Sequence, residues 1–170
     1  MKNINFKNQK GQVIIEAMVA LTVAIVGLLG VFSLVSKSLS LNVFVSDKYI
    51  AANLSSEGIE LIKNLVDKNI VNSRPWNEGI EDDDYKIDYK DESLAGNEYN
   101  GNGTLMFSGD EGYNYSDGEP TKYDRKITIE NVSVDEIKVV STVSWIGRGG
   151  SASDKLSVVL EDHFFRWRYE

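Results

Sequence analysis

The chain has no cysteine, a single histidine and only two prolines among its 170 residues. Without cysteine no disulfide can staple the fold, so an exported form must be held together by core packing. One histidine and no thiol also exclude the ligand sets from which zinc sites are built. Both prolines, Pro75 and Pro120, lie past position 70, so no such break falls in the first part of the chain. Positive charge is scarce as well. The 18 basic residues face 26 acidic ones, a net charge of −8. That balance argues against nucleic acid as a main partner, because phosphate binding needs clustered Lys and Arg. No Gly-x-Ser-x-Gly elbow, phosphate loop or Gly-x-Gly-x-x-Gly fingerprint is present. The carboxylates show no spacing of a glycosidase pair. The expectation is a protein that is not an enzyme, with no cofactor and no metal.

What is present begins at the N-terminus. Ten residues carry Lys2, Lys7 and Lys10 and no acid. From Val13 to Val35 every residue is then apolar or small, apart from Thr22, Ser33 and one ionisable group, Glu16. At about 1.5 Å per residue these 23 residues reach about 34 Å as a helix, enough to cross roughly 30 Å of hydrocarbon. The lysines ahead of the run fit a cytoplasmic start. Glu16 is the anomaly, since a charge at mid-bilayer costs about 2.5–3.5 kcal/mol on insertion scales. An ordinary secretory signal has a shorter apolar core followed by a small-residue cleavage site. This run is longer, starts with an acid and offers no clean site before Ser40. A plain anchor explains its length but gives Glu16 no use.

Lys10-Gly11 followed by Gln12-Val13-Ile14-Ile15-Glu16-Ala17-Met18-Val19-Ala20-Leu21 resembles the type IV prepilin signal. Type IV pilins and type II secretion pseudopilins share that signal: a short basic leader ending in Gly, then a hydrophobic helix with Glu at the fifth position. The resemblance implies cleavage by a prepilin peptidase between Gly11 and Gln12 and N-methylation of Gln12. It also implies a role for Glu16 in subunit assembly, paired with the new ammonium of a neighbour. The first mature residue in the family is usually Phe or Met; here it is Gln12. Loss of the leader removes three lysines, leaving 15 basic residues against 26 acidic ones, or −11.

Beyond the span the helical pattern continues. Ile50, Leu54, Gly58, Leu61, Ile62 and Leu65 recur at helical spacing, with Glu57, Glu60, Lys63, Asp67 and Lys68 on the remaining face. Glu57-Gly58-Ile59-Glu60 resembles a turn of helix in minor pilins and pilus-modification proteins. Gly27 and Gly30 mark places for bending or for close helix–helix approach. Asn72 to Gly79 reads as a breaker. The acidic run Glu81-Asp82-Asp83-Asp84 reads as a solvated loop, its spacing unlike that of a calcium loop. Tyr85 to Tyr89 alternates and is expected as a short strand. Residues 96–118 hold six of the fourteen glycines, which is turn chemistry around one or two short strands. Tyr99, Tyr113 and Tyr115 there suit either recognition or covering of the sheet.

Tyr123–Val132, Ile137–Ile146 and Leu156–Phe165 are three β-rich runs joined by short connections, the pattern of an antiparallel meander. Arg125 to Ile129 and Val143-Ser144-Trp145 again resemble the sheet of minor pilins. The chain closes on His163-Phe164-Phe165-Arg166-Trp167-Arg168-Tyr169. Aromatics interleaved with arginines suit a last strand with one face in the core, stacking on single-stranded nucleic acid, or stacking on a surface sugar.

The expected fold is α+β, a long N-terminal helix packed on an antiparallel β-sheet head, pilin-like. Its parts are a leader at 1–11, a helix at 12–70 with its transmembrane part at about 13–35, and a head at 71–170 with a loop region at about 96–120. The expected function is a structural subunit, a minor pilin, of a type IV pilus or related filament. Expected partners are a prepilin peptidase, other pilin subunits, an inner-membrane assembly platform and the membrane itself. The subunit is expected in the cytoplasmic membrane with its head outside, then in a surface pilus or an envelope pseudopilus. Two alternatives stand beside this: a pseudopilin of a secretion or DNA-uptake machine, and a membrane-anchored surface binding domain that never polymerises.

Overall fold

A computed structural model describes residues 9–151 and 153–167. Most of the leader (residues 1–8) and Arg168 and Tyr169 of the C-terminal run lie outside the described residues. One helix, α1 (Gln9–Val71), precedes six strands: β1 (Asp83–Tyr85), β2 (Thr104–Ser108), β3 (Gly112–Asn114), β4 (Glu119–Ser133), β5 (Glu136–Ile146) and β6 (Lys155–Phe165). The sheet is antiparallel in the order β3-β2-β4-β5-β6, with β1 added alongside β4. The architecture is α+β, a long N-terminal helix and an antiparallel sheet, and is compatible with a pilin-like fold. Residues up to Val45 and residues from Ser46 onward form two units.

Within the second unit, Ser46–Val71 of α1 packs on one face of the sheet. Alternation sends Tyr123, Arg125, Ile127 and Ile129 of β4 inward, together with Ile137, Val139, Ser141, Val143 and Trp145 of β5. Two apolar clusters result. One gathers Ile62 and Val66 of the helix with Trp76, Ile80, Ile87, Leu94, Ile127 and Val139. The other gathers Ala51 and Leu54 with Leu105, Tyr123, Val143 and Trp145. In all three elements the residues between the clusters are small or polar: Ser55 and Gly58 on the helix, Arg125 on β4 and Ser141 on β5.

That seam corrects the expected helix stripe. The buried line runs through Asp47, Ala51, Leu54, Ser55, Gly58, Ile62, Val66 and Asn69, while Ile50, Leu61 and Leu65 are only half-buried. Small side chains lie at its centre because the helix backbone approaches β5 closely there. Ser55 Oγ donates to the Ser141 carbonyl at 2.7 Å. A Cβ on Gly58 would stand 2.5 Å from Ser141 Oγ and 3.3 Å from Ile127. Gly58→Ala should therefore destabilise the head by about 1–3 kcal/mol through overpacking, despite the roughly 1 kcal/mol that alanine gains in helix propensity. Ser141 Oγ is buried without a hydrogen-bond partner, so Ser141→Ala removes both the obstacle and an unsatisfied group. In that background Gly58→Ala should recover most of its cost. Denaturant midpoints of the four variants of this cycle measure the coupling directly.

Two further expectations are corrected. The strand expected at Tyr85–Tyr89 lies instead at Asp83–Tyr85, paired with Ile127–Ile129. The chain turns away after it, because the Asp88 carboxylate accepts from the amides of Lys90 (2.8 Å) and Tyr115 (2.9 Å) rather than letting the segment extend. The acidic run is solvated as expected, Glu81, Asp82 and Asp83 being exposed. It is not a loop throughout, since Asp83 and Asp84 lie in β1 and the run is tied to β4. Asp82 accepts from the backbone amide and side-chain amide of Asn131 at 2.6 and 2.7 Å, and Asp84 from Lys126 at 2.9 Å and from Thr128. The Asn131 amide bonds hold the Asp82 carboxyl below its usual range. Partial burial pushes Asp84 the other way, but its bonds to Thr128 and Lys126 prevail and its pKa is also lowered. The expected loop region holds two short strands, β2 and β3.

Candidate functional site

In the first unit, Gly11, Gln12 and Glu16 lie in the opening turns of α1, and all three are exposed. Gln12 and Glu16 are one turn apart, on one side of the helix. Every large apolar side chain from Val13 to Val35 is exposed, between 48% at Ile25 and 70% at Val26 and Leu34. No face of the segment is polar enough to prefer water, as an amphipathic surface helix would require. Its length and composition suffice to cross a membrane. Thr22 fits such a setting, since its hydroxyl donates to the Val19 carbonyl at 2.8 Å and needs no outside partner. Glu16 has no such arrangement. Among the described residues no side chain pairs with it.

The head has its own charged centre, and sequence reading placed none of its residues there. Arg125 is fully buried. Its guanidinium donates to the Leu54 carbonyl at 3.1 Å and the Ile87 carbonyl at 2.7 Å, and its Nε donates to the Tyr115 hydroxyl at 3.3 Å. Glu57 approaches to 3.2 Å and supplies the counter-charge, while the Tyr115 ring lies 5.6 Å away. Helix, loop and sheet thus meet on one planar fork of donors. The available signal was parity: Arg125 shares its strand face with Tyr123, Ile127 and Ile129. A second tie joins Asp47 of α1 to Lys122 at 2.6 Å and to the Tyr123 hydroxyl at 3.4 Å. Burial, then the nearby Asp47 charge, pushes the Tyr123 phenol up.

The loop tyrosines cover the sheet. Tyr113 packs between Phe107 and Tyr123, with ring centres 5.0 and 6.3 Å away. Tyr99 donates to Asp124 at 3.0 Å; burial first, and then that carboxylate, raises its pKa to about 12. His163 bridges Glu136 (2.7 Å) and Glu161 (3.3 Å), and these two bonds raise its pKa. It belongs to a clamp between β5 and β6. Among the described residues no three His, Cys, Asp or Glu side chains are grouped to hold a metal ion.

A cavity of about 490 Å³ opens where α1 ends. The segment Ser73–Asn77 forms one wall, Val134 of the β4–β5 turn another, and Phe165, Arg166 and Trp167 a third. Trp76 is buried, whereas Phe165 and Trp167 are 58% and 67% exposed. Among the described residues of the C-terminal run, only Phe164 turns into the core. The loop wall is tied down. Asn69 Nδ2 donates to the carbonyls of Trp76 (3.3 Å) and Glu78 (2.9 Å), and the amides of Glu78 and Ile80 bond to Pro75 and Asn77. Ser73 ends the helix with φ of 55°, the left-handed conformation usual at a C-terminal cap. Among the described residues, both arginines at the cavity stand beside a carboxylate, Arg74 beside Glu78 at 3.8 Å and Arg166 beside Asp135 at 3.9 Å.

Compared with models of known protein families, with curated proteins and with solved structures, the chain has no match in any of the three.

Proposed function

We propose that the chain is a structural subunit, a minor pilin, of a type IV pilus or related filament. It enters the cytoplasmic membrane through Val13–Val35, loses its leader at Gly11–Gln12 to a prepilin peptidase, is methylated at Gln12 and joins other subunits through this helix. The observation that carries the reading is one carboxylate, Glu16, five residues past a glycine that ends a basic leader, in an otherwise uncharged apolar run. An isolated membrane anchor gains nothing from that acid, which costs it insertion free energy. A filament gains a partner for the Gln12 ammonium of the next subunit, and so an axial register. The exposed apolar side chains on every side of the run support the reading, since packed helices would cover them.

The test is the mass of the N-terminal peptide from the protein isolated from its own cells. The expected species starts at Gln12 and carries one methyl group. An N-terminus at Met1 or Lys2 would overturn the proposal and leave a tethered β-domain. The pseudopilin reading shares this processing and is separated by asking whether isolated surface fibres contain the chain.

A further inference from the structure

The cavity at the end of α1 has no part in assembly through the N-terminal helix, and we propose that it binds a neutral pyranose sugar. Its chemistry is two-sided. Phe165 and Trp167 present largely exposed aromatic rings, and a pyranose ring offers such rings a face of C–H bonds. Around them the lining supplies donors and acceptors together: the Arg74 and Arg166 guanidiniums, the Ser73 hydroxyl and the Asn77 amide. Sugar hydroxyls need both kinds at once, each being donor and acceptor.

Other ligand classes fit less well. Among the described residues, a free anion finds both guanidiniums at the cavity, Arg74 and Arg166, already beside a carboxylate, on a chain whose net charge is −8. That arrangement also counts against single-stranded nucleic acid, which needs a basic track beside its stacking rings. A wholly apolar ligand would strip water from the two ion pairs without replacing its hydrogen bonds. The volume, about 490 Å³, lies within the usual range for small-ligand sites, roughly 300–1,000 Å³. Its loop wall is fixed by the Asn69 bonds, so little ordering is needed on binding.

The experiment uses the full chain in detergent micelles, probed with an array of neutral glycans and with methyl pyranosides at about 1 mM, the scale of a weak single-sugar site. Sulfated glycans and single-stranded DNA are separate arms. Binding to a neutral sugar is expected, with affinity falling at least about tenfold in Trp167→Ala, one stacked ring being worth on the order of 1.4 kcal/mol. Trp167→Phe should retain most of it. Far-UV dichroism and the unfolding midpoint of Trp167→Ala, measured alongside, separate a lost ligand contact from a lost fold. Absence of binding to every neutral sugar would overturn the proposal. So would binding confined to sulfated glycans or DNA, or binding that Trp167→Ala leaves intact.

Discussion

Arg125→Leu should lower the stability of the head by about 3–5 kcal/mol, from an unsatisfied buried carbonyl and a poorly filled space together. The side chain has no solvent exposure, and leucine cannot donate to the Ile87 carbonyl, 2.7 Å from the guanidinium. The Leu54 carbonyl loses its second donor at 3.1 Å, but keeps its place in the helix. Glu57 loses its cation too, though its side chain is 37% exposed and can turn to water. Most of the loss therefore comes from the Ile87 loop and the seam between the two apolar clusters. Since domains are stable by only about 5–15 kcal/mol, the variant should unfold at a far lower denaturant concentration. Arg125→Lys should fall between, because one ammonium cannot reach both carbonyls in the planar geometry that a guanidinium provides. A tryptophan-fluorescence midpoint within about 1 kcal/mol of the parent would show that the seam does not depend on this ion.

Glu16→Val should leave membrane insertion intact and remove the protein from filaments. Valine lowers the cost of placing the helix in hydrocarbon, so membrane fractionation should find at least as much protein as before. In the proposed filament the same change leaves the Gln12 ammonium of the adjacent subunit without its carboxylate in an apolar surrounding. At about 2.5–3.5 kcal/mol for an uncompensated charge, incorporation should fall by on the order of a hundredfold. Glu16→Gln should fall as well, because the amide keeps the shape and loses the charge. Quantifying the chain in purified fibres against the membrane pool decides the matter, and incorporation at parental levels would reject the role of Glu16.

Much of the architecture was legible because it depends on local pattern. The β-strands alternate with period two, and the observed β4, β5 and β6 enclose the expected runs with only their ends moved. The helix was legible from the absence of proline and the spacing of its apolar residues. Its buried face was not, because Leu61 and Leu65 are as apolar as Ile62, and only the partner surface selects among them. Asp82 and Asp84 read as part of a loop for the same reason: their bonds go to Asn131, Lys126 and Thr128, more than forty positions along the chain.

The amino-acid sequence by itself determined the apolar span, the glycine and carboxylate in register at its start, and the order of helix and strands. These rest on composition and on spacing between near neighbours, which persist whatever the chain packs against. Only the tertiary structure decided that an arginine lies at the centre of the head, that a glycine lets the helix approach the sheet, and that Phe165 and Trp167 face a cavity. Those are matters of charge compensation and fit between distant segments, and no local pattern carries them.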